Sequence, residues 1–427
     1  MKLEITEIKH KVKNRITIAL LYLVIIALIG TYLRFMFVND HGIYNFQYLL
    51  HSHSHVAMLG WVFTSFYILL LYSYLQENLF SKKYNVIFWL IQLSVIGQLV
   101  AFAVQGYAAF SIAFSTLHIV LSYLFIYYFY KETKNNALLR EKHRLSLKFI
   151  YGGLFFLLLS SIGPWGLAVI VINNMAGTDL YKQAIYFYLH FQYNGWFVLT
   201  LIGFVLFYYE KKGLTFSSNW AATAFNLLFW ANIPAYTLSL LGFEIPKFIW
   251  IIAFGSALFQ FIGLRYLVKV LFPFREAVTG NMSLWCRRLF YVFMVSLSVK
   301  YIFQLLSSLP YIGDAAFISR EVAIGYIHLV MLGVVSCGIF FLFSVNNLIN
   351  FGAGLIKTGL WLLLTGFVLN EALLFYPSFI IWFQAPVLTH YHFSLFVCAI
   401  LMFIGAGLIF SSHFRVSFKS SSLAKID

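Results

Sequence analysis

The sequence is poor in charge. Only 10% of its 427 residues are Asp, Glu, Lys or Arg, against 62% hydrophobic. A soluble chain carries about 25% charged residues to keep its surface wet, so a water-soluble globular fold is excluded. Cysteine is scarce too. Cys286, Cys337 and Cys398 are scattered, with no CxxC pair, no CxxCH haem-attachment motif and no disulfide framework. The two-residue alternation of an outer-membrane barrel is also missing. Acidic residues number 14 against 29 Lys and Arg, a net charge of +15. That excess lies in short loops between apolar runs, which is the positive-inside pattern of membrane proteins rather than a nucleic-acid surface.

Apolar runs of about twenty residues recur along the whole chain, which predicts an all-α, polytopic membrane protein. Helices close their backbone hydrogen bonds internally, as a lipid-facing fold requires. About twelve spans are predicted: 16–38, 48–75, 84–107, 110–130, 147–172, 184–209, 220–241, 248–272, 284–309, 321–345, 356–376 and 386–411. Loops are short, no soluble domain is visible, and no repeat of a duplicated transporter half stands out. The expectation is one transmembrane domain over 1–427, with 1–15 and 412–427 as cytoplasmic ends. The first apolar run is too long for a cleaved signal peptide and lacks a small-residue cleavage site, so it reads as a retained span. Lys and Arg concentrate at the N-terminus, in 81–83, 131–148, 211–212, 269–288 and the C-terminal tail; the opposite loops hold only Lys182, Lys247 and Arg320. Both termini are therefore expected in the cytoplasm of a bacterial-type inner membrane. Pro164 and Pro234 predict kinks, and Lys300 in span nine is expected to snorkel outward.

The histidines are the chemistry-bearing residues. His51, His53 and His55 open span two, His118 lies in span four, His190 in span six, His328 in span ten, and His390 and His392 in span twelve. On the predicted topology all fall in the outer halves of even spans. His41 falls in the first external loop, and His10, His143 and His413 are cytoplasmic and read as inert. An ionisable side chain in hydrocarbon marks a functional site by default, and neutral imidazole is the commonest transition-metal ligand. Ligands from several helices at one depth can meet in one layer. His51 and His55 share a helix face, while His53 points nearly the opposite way; His390 and His392 split likewise. Each cluster also has a plainer reading. On it the span-two and span-twelve histidines mark a headgroup boundary, His190 a helix-to-helix hydrogen bond beside the polar Gln192, Tyr193 and Asn194, and His328 a satisfied core residue. His118, without a supporting neighbour, reads as core. Glu371 beside Asn370 either orients a ligand histidine, carries protons or reaches the surface.

Histidines on spans two, six and ten of a twelve-span chain resemble subunit I of the haem–copper oxidase superfamily, which includes the nitric oxide reductase large subunit. His53-Ser54-His55 before Met58 and Gly60, Tyr188-Leu189-His190 with Tyr193 and Trp196, and His328-Leu329-Val330-Met331-Leu332-Gly333 are similar to motifs of NnrS-like haem and copper membrane proteins. The resemblance implies a low-spin haem b held by His55, with His53 as second choice, and by His328. It implies His190 as a copper ligand. It departs from the family at three places. Tyr326 stands where the active-site haem ligand would be, and Asn194 where a tyrosine would follow the copper histidine. Span seven offers Asn226, Trp230 and Asn232 instead of a copper-binding histidine pair. A different second site, copper or haem, would then draw on His190, His390, His392, His51 or Tyr326.

The expected function is inner-membrane electron transfer, with a cytochrome or quinol donor and small respiratory subunits as partners. Reduction of oxygen or nitric oxide is not assigned. Two other classes stay open: a metal-ion or proton transporter, and an accessory protein carrying haem or copper to a respiratory complex. Vesicle uptake of metal without bound haem would favour the transporter. Absence of gas binding or reductase activity would favour the accessory role.

Overall fold

The computed structural model describes residues 2–39, 44–313, 319–352, 354–383 and 388–423. His41 and the predicted start of span twelve at Pro386 lie outside them. No strand occurs among the described residues, and eleven helices are long and apolar enough to cross a membrane. The chain is a helical, multi-pass membrane protein.

In chain order the helices are α1 (Lys2–Phe35), α2 (Phe46–Tyr74), α3 (Lys82–Gln105), α4 (Ala109–Asn135), α5 (Arg144–Ile172), α6 (Asp179–Lys211), α7 (Ser218–Trp230), α8 (Phe248–Leu271), α9 (Leu284–Ser307), α10 (Arg320–Val345), α11 (Gly354–Phe383) and α12 (Tyr391–Leu423). The expected seventh span, 220–241, is not one helix. Pro234 lacks an N–H and its ring clashes with the carbonyl four residues back. The α-helix accordingly stops at Trp230, and a 3-10 turn, Pro234–Leu240, follows. Pro164 acts in the same way on α5, which breaks at Ser161 between Arg144–Ser160 and Ile162–Ile172.

Taken four at a time, as groups α1–α4, α5–α8 and α9–α12, the helices pack largely on their neighbours in sequence, and α1 closes the ring against α12. The second helix of each group lies innermost. The hydrophobic windows of α2, α6 and α10 are 89%, 89% and 72% buried, against 33–50% for the others. The three meet directly. Phe66 of α2 packs its ring against Trp196, Phe197 and Phe204 of α6. Trp61 donates its indole N–H to Ser336 Oγ of α10 at 2.9 Å.

Each central helix contains one π-helical segment: Val56–Phe63, Phe191–Phe197 and Leu329–Ser336. Each begins directly after a histidine, His55, His190 or His328, and each holds a glycine five residues beyond it. A Cβ on Gly60 would meet Tyr22 of α1 and Val95 of α3. One on Gly195 would meet Phe156 of α5 and Asn232, and one on Gly333 would meet Ser296 of α9 and Phe367 of α11. In every group the glycine is thus wedged between the first and third segments. The chain carries a threefold His-x4-Gly repeat, one copy per group. π-turns inside α-helices concentrate at functional sites, and here they set the three histidines at matching places in the bundle.

Candidate functional site

The α2 histidines divide between two faces. His51 and His55 turn toward α3 and the loop after it: the His51 ring lies 4.7 Å from Tyr107, and the His55 ring 4.1 Å from Phe102. His55 Nδ1 donates to the His51 carbonyl at 3.1 Å. His53 faces α1 instead. Its Cε1 would lie 3.0 Å from a Cβ on Gly30, and the Ile26 backbone is within hydrogen-bonding reach of the ring.

His328, across the bundle on α10, has His53 and Arg34 as its electrostatic neighbours. His55 has His51, and His118 of α4 lies in reach of it. The structure therefore brings His53, not His55, toward His328. The Nδ1 atoms of both His53 and His328 are shielded and without a hydrogen-bond partner. Both side chains nevertheless keep some accessible surface although they sit deep among the helices, so they border a gap. The segments that carry them, Phe46–His55 and Arg320–His328, touch at their starts, where the Arg320 guanidinium lies 5.5 Å from the centre of the Phe46 ring, and the Trp61–Ser336 bond joins the same two helices further along.

His190 is fully engaged. Its Nε2 lies 2.9 Å from the Asn232 carbonyl and its Nδ1 3.2 Å from Asn194 Nδ2. A carbonyl only accepts, so Nε2 carries the proton and Nδ1 accepts from the amide. Tyr326 then donates to Asn194 Oδ1 at 3.2 Å, and Gln260 Nε2 donates to Asn232 Oδ1 at 3.1 Å. The chain of bonds Tyr326–Asn194–His190–Asn232–Gln260 ties α10, α6, the α7 break and α8. Pro234 makes it available. In the 3-10 turn Tyr236 N–H bonds Ile233 rather than Asn232, so the Asn232 carbonyl is left for the imidazole. Neither nitrogen of His190 is spare for a metal in this arrangement.

The remaining candidates lie apart. His390 and His392 are exposed beside an open groove of about 500 Å³ that Phe37, Pro377 and Tyr391 also line, and His392 stacks on Phe37 at 5.3 Å. Tyr193 and Tyr326 approach edge-on, ring centroids 6.4 Å apart. Glu371 accepts from Asn370 Nδ2 at 3.3 Å, has Arg34 as a charged neighbour and leaves Oε2 unpartnered. His118, 3% exposed, contacts Ser94 Oγ through Nδ1 at 3.0 Å, with Nε2 unpartnered. Among the supposedly inert histidines, His413 Nε2 donates to the Lys13 carbonyl and His143 lies 3.5 Å from Glu210. Lys300 does not snorkel. It is 0% exposed, donates to Gln304 Oε1 at 2.9 Å and rests over the Tyr301 ring. It lies one turn beyond Ser296, which packs against Gly333 in the middle of α10, so its stem is too deep in the bundle to reach a surface.

Among the described residues no three His, Cys, Asp or Glu side chains gather in a way that would hold a metal ion. A bis-imidazole haem needs only two. The signal that sequence reasoning passed over is the His-x4-Gly repeat, visible at 55, 190 and 328. Comparison with protein-family models gave no match for this chain, and comparison with curated proteins gave none either.

Proposed function

We propose that the chain binds haem b in the gap between α2 and α10 and serves as a membrane electron-transfer protein of the haem–copper oxidase subunit I type. One axial imidazole would come from His328 and the other from His53. The observation that carries this reading is the His53–His328 pair. Two imidazoles on separate central helices, each with an unpartnered, shielded Nδ1, are electrostatic neighbours deep in the bundle. Haem iron takes an imidazole through Nε2, so the shielded Nδ1 atoms would be the back nitrogens of the two ligands. His55, which sequence resemblance favours, is turned to the other face of α2.

The chain's own groups do the positioning. The Trp61–Ser336 bond holds α2 and α10 at a fixed spacing beside the gap. Arg34, a neighbour of His53 and His328, supplies positive charge at its edge, and the Glu371 carboxylate sits beside that guanidinium. A six-coordinate haem supplies one-electron transfer without an open position for substrate. The protein's task is then to fix the two rings and keep the site dry.

Optical spectra of the purified protein, oxidised and dithionite-reduced, test this. Wild type should show a Soret band and a sharp reduced α band. His328→Ala and His53→Ala should lose or broaden the α band, and His55→Ala should keep it. A colourless wild type, or an unchanged α band in His328→Ala, refutes the assignment.

A further inference from the structure

His51 and His55 are left over by the haem reading. They stand one helical turn apart on the α2 face opposite His53, the H-x3-H spacing that aims two imidazoles the same way. Both rings meet the same aromatic wall. Tyr107 lies 4.7 Å from His51 and 6.0 Å from His55, and Phe102 lies 6.1 and 4.1 Å away. His51 is also an electrostatic neighbour of the His55 ring.

The tautomer of His55 is set by its surroundings. Nδ1 points at the His51 carbonyl, which can only accept, so the proton is on Nδ1 and the lone pair on Nε2. An imidazole whose back nitrogen is fixed by a carbonyl is the form that metal sites use, because the bond orients the ring and raises its basicity. Both side chains keep partial exposure and lie within three turns of the start of α2 at Phe46.

We propose that His51 and His55 form a two-ligand site for a late first-row divalent cation, against the Tyr107 ring and separate from the α2–α10 gap. No third His, Cys, Asp or Glu joins them among the described residues, so water completes the coordination. Imidazole ligands on an otherwise unconstrained site bind in the order Cu2+ above Ni2+ and Zn2+. Phe102 and Tyr107 wall one side of the pair.

The test is titration of metal-stripped, full-length protein with CuSO4 and ZnCl2, followed by calorimetry and Cu(II) electron paramagnetic resonance. One Cu2+ per chain with two-nitrogen hyperfine coupling is expected, and Cu2+ should bind more tightly than Zn2+. His51→Ala or His55→Ala should weaken binding about a hundredfold or more, since loss of even an outer-shell partner costs 10–100-fold. His392→Ala, at the exposed rim of α12, should bind as wild type does. His51→Gln keeps a polar group at this half-buried position and gives the same answer if alanine impairs folding. Absence of copper binding in wild type, or unchanged binding in His51→Gln and His55→Ala, overturns the proposal. Haem content on the same samples keeps the two readings apart: copper bound without haem would refute only the α2–α10 assignment.

Discussion

Replacing His190 with Leu separates two roles for this residue, a structural tie and a metal ligand. The imidazole bridges the Asn232 carbonyl and the Asn194 amide, and Asn194 in turn holds Tyr326. His190, Asn194 and Asn232 are at most 5% exposed, so water cannot substitute readily. A buried polar group left unpaired costs about 1–3 kcal/mol. Interhelical hydrogen bonds in membranes average only about 0.6 kcal/mol, with a maximum near 1.7, because alternative partners are found. Two groups are orphaned here. The Asn194 amide can turn toward another acceptor, but the Asn232 carbonyl is held by the turn at Pro234. His190→Leu should therefore cost about 2 kcal/mol of stability. Unfolding titrations in mixed micelles, with Asn194→Ala and the double variant, should reveal coupling of about 1 kcal/mol between the two positions. If His190→Leu costs under about 0.5 kcal/mol and instead removes a bound metal, the residue is a ligand and the hydrogen-bond account is wrong.

Three further outcomes follow from the packing. Gly195→Ala should destabilise by about 1–3 kcal/mol, because the new Cβ would lie 2.6 Å from Phe156 Cβ; a thermal midpoint equal to wild type would show that α5 yields easily. Trp61→Phe removes the N–H that Ser336 accepts and should cost about 1 kcal/mol; measured with and without haem, it should also lower haem retention. Lys300→Met should be neutral or stabilising by up to about 4 kcal/mol, since no carboxylate among the described residues pairs with this fully buried amine; a marked loss of stability in unfolding titrations would refute that.

Most of the architecture was legible from hydropathy. The ninth span, expected at 284–309, is the helix Leu284–Ser307; the first and twelfth overlap their expected ranges less closely, Lys2–Phe35 starting before residue 16 and Tyr391–Leu423 running past residue 411. This works because a lipid-facing helix must be apolar over its whole length. The seventh span misled because the average hydropathy of 220–241 hides what one proline does to hydrogen bonding. Pro234 was readable as a kink, but the carbonyl it frees for His190 appears only once α6 lies alongside.

The site was legible in part. Composition and spacing singled out His53, His55, His190 and His328, and helix geometry already split His53 from His55. Which of them meets α10 depends on how α2 is rotated, and that rotation is set by tertiary contacts such as Gly30 against His53 and Ser52 Oγ on the Leu99 carbonyl. The repeat of His-x4-Gly escaped notice because only two positions in each copy are specific, while the rest are interchangeable apolar residues. His390 and His392 looked equivalent to the others in sequence. Their exposure follows from α12 beginning only at Tyr391, which leaves them at its rim.

Electron paramagnetic resonance of ferric His53→Ala protein tests the proposed iron site most directly. The account predicts that the low-spin signal of wild type gives way to a high-spin signal, the haem now held by His328 alone, while His55→Ala stays low-spin. A low-spin signal unchanged in His53→Ala but abolished in His55→Ala would contradict it.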